Sequence, residues 1–252
     1  MRLPLIAFLL PAFLLAASST RATPIPLFDG SLGTTPDAQG WLYLTSPLIG
    51  ATSTRQASGN GTRLVSPVAE QAGWFSTLHP SMPVLPVGAA IDLDFGLQLL
   101  SETHASDNRA GFSLILLNQA SRGIELAFWN DRVWAQNDQP LFTHGEEALF
   151  DTTRLTDYQL RFRADGYELR VDGNALLTGA LRDYSAHSNP VYSSASFLFF
   201  GDDTSSAGSD SLLQQVRIEV ATVPTPGLPA LLGIGLLGLR WRTGESTGTG
   251  AV

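Results

Sequence analysis

Two tryptophans flanking a short polar turn are the residues best suited to hold a ligand. The candidate binding residues are Trp129, Asp131, Arg132, Trp134 and Gln136. Indole rings offer flat apolar surfaces, and the neighbouring side chains supply hydrogen-bond donors and acceptors, which is the combination a sugar ring requires. The spacing therefore predicts a glycan-binding site, and the alternative is that both indoles are buried in a core.

An acidic turn further along the chain supplies oxygen ligands. Asp202, Asp203 and Asp210 lie close together among serines and threonines. Ca²⁺ takes about six to eight such oxygens, so a calcium site at these three aspartates is one hypothesis. The alternative is an ordinary turn whose carboxylates accept backbone N–H groups or pair with Arg109. No other cofactor is expected.

The sequence predicts no catalytic residue. It has no G-x-S-x-G or H-E-x-x-H motif, and its four histidines stand in separate contexts. Asp92 and Asp94, two positions apart on a predicted strand, would project the same way about 6.5 to 7 Å apart, a spacing suited to acid and base roles. A solvated outer face explains these two aspartates better, because Gly96 stands where a hydrolase pattern Glu-x-Asp-x-Glu would have its third acid. The protein is therefore expected not to be an enzyme.

Charge and composition exclude several classes of function. The 252 residues include 15 basic residues, all arginine, against 23 Asp and Glu, giving a net charge of -8. Such a surface repels nucleic acid and anionic lipid. The absence of cysteine excludes a catalytic thiol, a zinc-thiolate site and a disulfide framework.

The elements that must position these residues are β-strands. Ile91, Leu93, Phe95, Leu97 and Leu99 alternate with polar residues or glycine, which is the two-residue period of a half-buried strand. Similar alternation recurs along the middle of the chain, and glycine-containing turns separate the runs. We predict an all-β fold, a two-sheet antiparallel jelly-roll sandwich with flanking N-terminal and C-terminal apolar helices. A closed barrel is the alternative.

Both ends of the chain are typical of targeting segments. Residues 1–22 combine a basic start, an apolar stretch and small residues, which predicts a cleaved secretory signal. Residues 23–221 form the predicted sandwich domain. Residues 222–242 contain a proline spacer, an apolar helix too short to span a bilayer easily and an arginine cluster, and 243–252 form a predicted disordered tail.

Two resemblances extend these expectations. Residues 222–242 resemble the PEP-CTERM sorting signal, with Thr225 in place of the usual Glu, which implies an exosortase partner and membrane contact only through the C-terminal helix. Residues 150–153, the hairpin at 165–166, and residues 171–174 and 177–179 follow a strand-turn pattern that is similar to concanavalin A-like and laminin-G-like sandwiches. The stretches 28–33, 37–41, 107–112, 124–126, 129–136 and 201–207 resemble the choice-of-anchor Y family. This last resemblance implies a secreted bacterial domain and assigns no functional residue.

These observations predict an exported protein of the cell surface or extracellular matrix of a Gram-negative-type bacterium. The first hypothesis is a non-catalytic sandwich whose partner is exopolysaccharide or another surface glycan. A purely structural envelope domain is the second. A polysaccharide hydrolase that uses Asp92 and Asp94 is the third.

Overall fold

The computed structural model describes residues 23–164, 166–187 and 189–221. Within them, sixteen strands form two antiparallel sheets of eight strands each. The strands of sheet A are β1 (Ile25–Asp29), β3 (Thr54–Ser58), β4 (Gly61–Ser66), β6 (Ile91–His104), β11 (Thr156–Arg163), β12 (Gly166–Val171), β13 (Asn174–Ala180) and β16 (Ala207–Val220). The strands of sheet B are β2 (Leu42–Ser46), β5 (Gln71–Phe75), β7 (Ser113–Leu117), β8 (Arg122–Trp129), β9 (Arg132–Asp138), β10 (Leu141–Leu149), β14 (Arg182–Asp183) and β15 (Phe197–Asp202).

The strand order places distant parts of the chain side by side. Sheet A runs β13-β12-β11-β6-β16-β4-β3, with β1 also on β16, and sheet B runs β10-β9-β8-β7-β15-β5-β2, with β14 on β8. Three 3-10 turns and one short helix, α1 (Pro190–Ser193), complete the described elements. The predicted jelly-roll sandwich is therefore confirmed. The predicted signal segment, sorting helix and tail lie outside the described residues.

The core lies between the two sheets and follows from the two-residue period. On β6 the predicted apolar positions from Ile91 to Leu99 all face inward and are buried. Their aromatic members pack closely, since the ring of Phe95 stacks on that of Tyr158 with centroids 5.1 Å apart. Burial of apolar area at roughly 25 cal/mol per Å² is the main force that holds the two sheets together.

Hairpin turns fix the register of neighbouring strands. Asp172 and Gly173, between β12 and β13, have φ angles of 50° and 78°, as a two-residue turn with two left-handed positions requires. The pairing of Val171 with Asn174 closes this hairpin directly. Among the described residues, no helix is both long and apolar enough to cross a membrane.

Candidate active site

A segment of the chain covers part of the outer face of sheet B and shields it from solvent. All five residues of β7 are buried, so this strand is apolar on both faces. The cover is the segment that includes α1, in which Tyr184, Val191 and Tyr192 pack against Ile115 and Phe199 of the sheet. Asn189 caps α1 by accepting a hydrogen bond from the N–H of Val191 at 3.2 Å. The segment leaves part of the sheet uncovered, and a cavity forms there.

This cavity, which we call the acid cavity, has a volume of about 350 Å³ and mostly polar walls. Ser113, Glu125 and Gln136 come from the neighbouring strands β7, β8 and β9. Their side chains point outward because the adjacent positions on each strand face the core. Tyr192 from the covering segment and Asp203 from the turn after β15 complete the group. Residues far apart in sequence therefore converge on one space.

Two carboxylic acids in the acid cavity are joined by one phenol. The hydroxyl of Tyr192 donates to Oε2 of Glu125 and lies 3.3 Å from Oδ2 of Asp203. Ser113 Oγ donates to the other oxygen of Glu125 at 3.2 Å. Because both carboxyl groups lie within hydrogen-bond distance of the same oxygen, their nearest oxygens are less than about 6 Å apart.

Burial raises the pKa of both acids. Desolvation raises the pKa of Glu125 well above its usual range, and the nearby Asp203 carboxylate raises it further. Desolvation also raises the pKa of Asp203, while the hydrogen bond from Tyr192 lowers it. Like charges this close disfavour double ionisation, so the pair titrates as a unit and retains one proton. Glu125 is the better holder of that proton because it is 1% exposed on a strand buried on both faces.

Two further side chains of the acid cavity are suited to contact a ligand. Gln136 is 3% exposed and lines the cavity, where its amide can exchange hydrogen bonds with a ligand hydroxyl. Arg109 places a guanidinium at the rim, where it donates to the carbonyl of Phe142 at 3.0 Å and lies over the Phe142 ring.

The two predicted binding tryptophans lie beside the acid cavity and are buried. The ring of Trp134 stacks on His144 at 4.3 Å, and that of Trp129 stacks on His104 at 4.0 Å. The indole N–H of Trp129 donates to the carbonyl of Arg109 at 2.8 Å, so this column of rings supports the rim residue. Neither ring offers an open flat surface. Sugar binding by the indoles themselves stays a prediction.

Asp131 and Arg132, two other members of the predicted binding group, lie outside the acid cavity. Asp131 receives two hydrogen bonds from Arg132 at 3.0 and 3.1 Å, and Arg132 also donates to Glu147 at 3.0 Å. These ion pairs lie at the exposed hairpin between β8 and β9. Of the five predicted binding residues, only Gln136 lines the acid cavity.

The three predicted calcium ligands also separate. Asp202 is buried and binds Ser66 and the N–H of Thr204, Asp203 faces the acid cavity, and Asp210 binds Arg63 across sheet A. Among the described residues, no group of three or more His, Cys, Asp or Glu is placed to hold a metal ion. Calcium binding stays a prediction.

The burial of Asp202 leads to a testable pH dependence. Desolvation raises the pKa of Asp202 to about 9, against the opposing hydrogen bonds from Ser66 and Thr204. The folded state therefore holds a proton that the unfolded state has released between about pH 4 and pH 9, so stability falls as pH rises through that window. We expect Asp202→Asn to reduce this slope by up to about 1.4 kcal/mol per pH unit.

Urea unfolding at several pH values between 5 and 9 measures that slope. Asp172→Asn is the matched control, because Asp172 is exposed in a turn whose left-handed backbone suits asparagine. The control should keep the slope of the wild type. Equal slopes for Asp202→Asn and the wild type would show that Asp202 is ionised in the folded protein.

The acid pair predicted from sequence lies on the opposite side of the molecule. Asp92 pairs with Arg163 at 2.6 Å and with Arg161 at 3.8 Å, and Asp94 accepts a hydrogen bond from Gln159 at 2.9 Å. These contacts join β6 to β11 on the outer face of sheet A. The two aspartates therefore serve pairing between strands, and neither lines the acid cavity.

Sequence reasoning assigned no role to Glu125, Ser113 or Tyr192. A signal for Glu125 was available, because it is the one charged residue inside the otherwise apolar run 124–129. Tyr192 had none, because it follows Glu125 by 67 residues and reaches it only through the fold.

Comparison with known proteins identifies a fold but no family. A scan against protein-family models finds no match, and neither does a search of curated proteins. Among solved structures, a carbohydrate esterase from Shiga toxin-encoding bacteriophage phi24B has a TM-score of 0.51 and 12% identity, covering 79% of this chain and 100% of its own. A galectin-like protein of unknown function from Bacillus subtilis has a TM-score of 0.50 and 7% identity, covering 79% and 97%. An alginate lyase from Corynebacterium sp. has a TM-score of 0.47 and 8% identity, covering 77% and 99%.

The expectation that the protein is not an enzyme is corrected by these comparisons. The carbohydrate esterase shares the sandwich along its full length, so a fold of this kind carries catalysis. The physical reason for the error is that the expectation relied on motifs continuous in sequence. The acid pair of this chain is assembled from strands and turns far apart in sequence.

Proposed function

We propose that the protein is an enzyme that cleaves glycosidic bonds in an extracellular polysaccharide at the acid cavity. The observation that carries the proposal is the pair of carboxyl groups, the buried Glu125 and the half-buried Asp203, that lie on either side of the Tyr192 hydroxyl. Glycoside cleavage uses two carboxyl groups in different protonation states, one as acid and one as base or nucleophile.

The separation of the two carboxyl groups favours the retaining reaction. Retaining enzymes place them about 5 to 5.5 Å apart, and inverting enzymes about 6.5 to 9.5 Å apart. In the first step Asp203 attacks the anomeric carbon while Glu125 gives its proton to the leaving oxygen. In the second step Glu125 takes a proton from water, whose oxygen attacks the same carbon and releases Asp203. Both carboxyl groups then regain their starting protonation.

The remaining residues of the acid cavity position the reacting groups. Tyr192 orients both carboxyl groups through its single hydroxyl, and Ser113 holds the second oxygen of Glu125. Gln136 lines the cavity and is placed to bind a sugar hydroxyl. Among the described residues no histidine lines this cavity to serve Ser113 as a base, and the Ser113 hydroxyl instead donates to Glu125 at 3.2 Å. The residues therefore favour a glycosidic bond over an ester bond.

Two neighbours support a carbohydrate as the substrate. The phage protein is a carbohydrate esterase by its name, and the Bacillus subtilis protein, whose function is unknown, has a galectin-like fold. The setting that we propose is export and retention at the surface by the C-terminal segment, with an exosortase as sorting partner. The support for this setting is the sequence of residues 1–22 and 222–242.

An assay on a panel of neutral and anionic polysaccharides tests the proposed reaction. We expect new reducing ends, no ultraviolet absorbance from an unsaturated product, and a first product that keeps the anomeric configuration of the substrate. The rate should depend on pH as a bell, because one acid must be ionised and the other protonated. An unsaturated product would show that the enzyme cleaves the bond by elimination and not by hydrolysis. No cleavage of any member between pH 4 and pH 9 would contradict the proposal.

A further inference from the structure

A second compartment continues from the acid cavity across the outer face of sheet B. It has a volume of about 270 Å³ and mainly apolar walls, and we call it the apolar compartment. Gln71, Asn189 and Asp203 line both spaces, so the two adjoin. The carboxyl group of Asp203 stands at the junction. A molecule held at the acid pair can therefore extend into the apolar compartment.

Aromatic rings form the walls of the apolar compartment and pack against β5 at a glycine, where no side chain intervenes. Phe199 and Phe75 contact each other edge to face, with centroids 4.9 Å apart. The ring of Phe199 lies so close to Gly73 that a Cβ there would fall 2.4 Å from it. Glycine at this position thus lets the ring lie flat against β5 and keeps the space beside it open. Val191 of α1 closes one side.

The mouth of the apolar compartment is also apolar and is exposed. Leu44 is 38% exposed and Leu48 is 77% exposed, although both line the space. Exposed apolar side chains beside a cleft are typical of ligand contact. Sugar hydroxyls would lose hydrogen bonds to water against these walls without replacement, which costs free energy. An unmodified sugar is therefore a poor occupant.

We propose that the apolar compartment binds the acyl group of an O-acylated saccharide while the saccharide itself lies at the acid cavity. This proposal rests on the proposed function for the position of the saccharide. An acyl methyl suits apolar walls, and two polar side chains, Gln71 and Asn189, line the junction between the two spaces. A cavity of about 150 Å³ already holds benzene, so this compartment has room for an acetyl or a short acyl chain.

Saturation-transfer NMR and calorimetry with glucose pentaacetate, compared with glucose, test the proposal. Acetyl groups at every hydroxyl remove any dependence on which position is modified. We expect saturation transfer to acetyl methyls and binding about fourfold tighter for each methyl that enters the compartment. Leu44→Trp fills the mouth and should abolish this preference. Leu155→Trp, at an exposed leucine that lines neither space, is the matched control and should keep it.

Two further arms separate the possible failures. Glu125→Gln should retain the preference for glucose pentaacetate, because Glu125 does not line the apolar compartment. The test of the acyl site is therefore independent of the test of cleavage. Equal binding of glucose and its pentaacetate, or an unchanged preference in Leu44→Trp, would overturn the proposal. Octanoate binding at least as tightly as the pentaacetate would overturn it in favour of a free fatty acid.

Discussion

Glu125→Gln is expected to lower kcat on a cleaved polysaccharide by about 10²-fold to 10⁴-fold, the range that general acid catalysis contributes. Gln keeps the shape of the side chain, and its carbonyl oxygen accepts from one of the Tyr192 and Ser113 hydroxyls while its NH₂ donates to the other, but it has no acidic proton to give to the leaving oxygen. The loss should be smaller for an aryl glycoside, whose leaving group needs less protonation. KM should change little, because Glu125 acts on the reacting bond.

The pH profile of the same variant distinguishes an acid from a structural residue. In the wild type the rate falls at high pH as Glu125 loses its proton, so the basic arm of the bell should disappear in Glu125→Gln. Asp203→Asn should instead abolish the nucleophile for every leaving group. A Glu125→Gln protein that folds and keeps the rate and the profile of the wild type would remove Glu125 from the mechanism.

Trp134→Ala is expected to lower the free energy of unfolding by about 3 to 5 kcal/mol, the cost of deleting a large buried aromatic side chain. Trp134 is fully buried and packs between Trp129 and His144. Its removal would leave a cavity beside the hairpin that carries His144 and would also loosen Arg109 at the rim of the acid cavity. Urea unfolding monitored by circular dichroism measures the loss.

Trp134→Phe is the matched control for this substitution. Within the described part of the chain, the buried indole N–H of Trp134 has no hydrogen-bond partner, so phenylalanine loses no polar contact there and keeps part of the ring stack. We expect it to cost less than half as much as alanine. A Trp134→Ala protein within about 0.5 kcal/mol of the wild type would mean that the ring does not support the fold. A role for Trp134 in contacting ligand would then be the better explanation.

The sequence predicted the strands whose two faces differ. The alternation from Ile91 to Leu99 predicted β6 correctly, because one side of that strand meets the core and the other meets solvent. Hydrophobic alternation did not predict β10. None of the nine residues of β10 is fully buried, so hydrophobic periodicity gives no signal there. This strand carries His144 and Glu147, which complete the contacts around Trp134 and Arg132.

The candidate site could be predicted only in fragments. Gln136 and Asp203 were each singled out, but for different sites, because nothing in the sequence places β9 near the turn after β15. The strand order brings them together through β7 and β8. Glu125 was missed although its charge stands out in the apolar run 124–129, because nothing in the sequence connects that run with Asp203. Pairings between distant segments, set by topology, therefore determine the chemistry of this chain.

One side-by-side assay tests the central claim most directly. The wild type, Glu125→Gln and the double variant Asp92→Asn/Asp94→Asn would be assayed on the polysaccharide that the wild type cleaves, with release of reducing ends as the measurement. We predict near wild-type rates for the double variant, whose aspartates bind neighbouring strands, and a loss of at least about 100-fold for Glu125→Gln. The reverse pattern, or equal rates for all three proteins, would contradict an active site at the acid cavity.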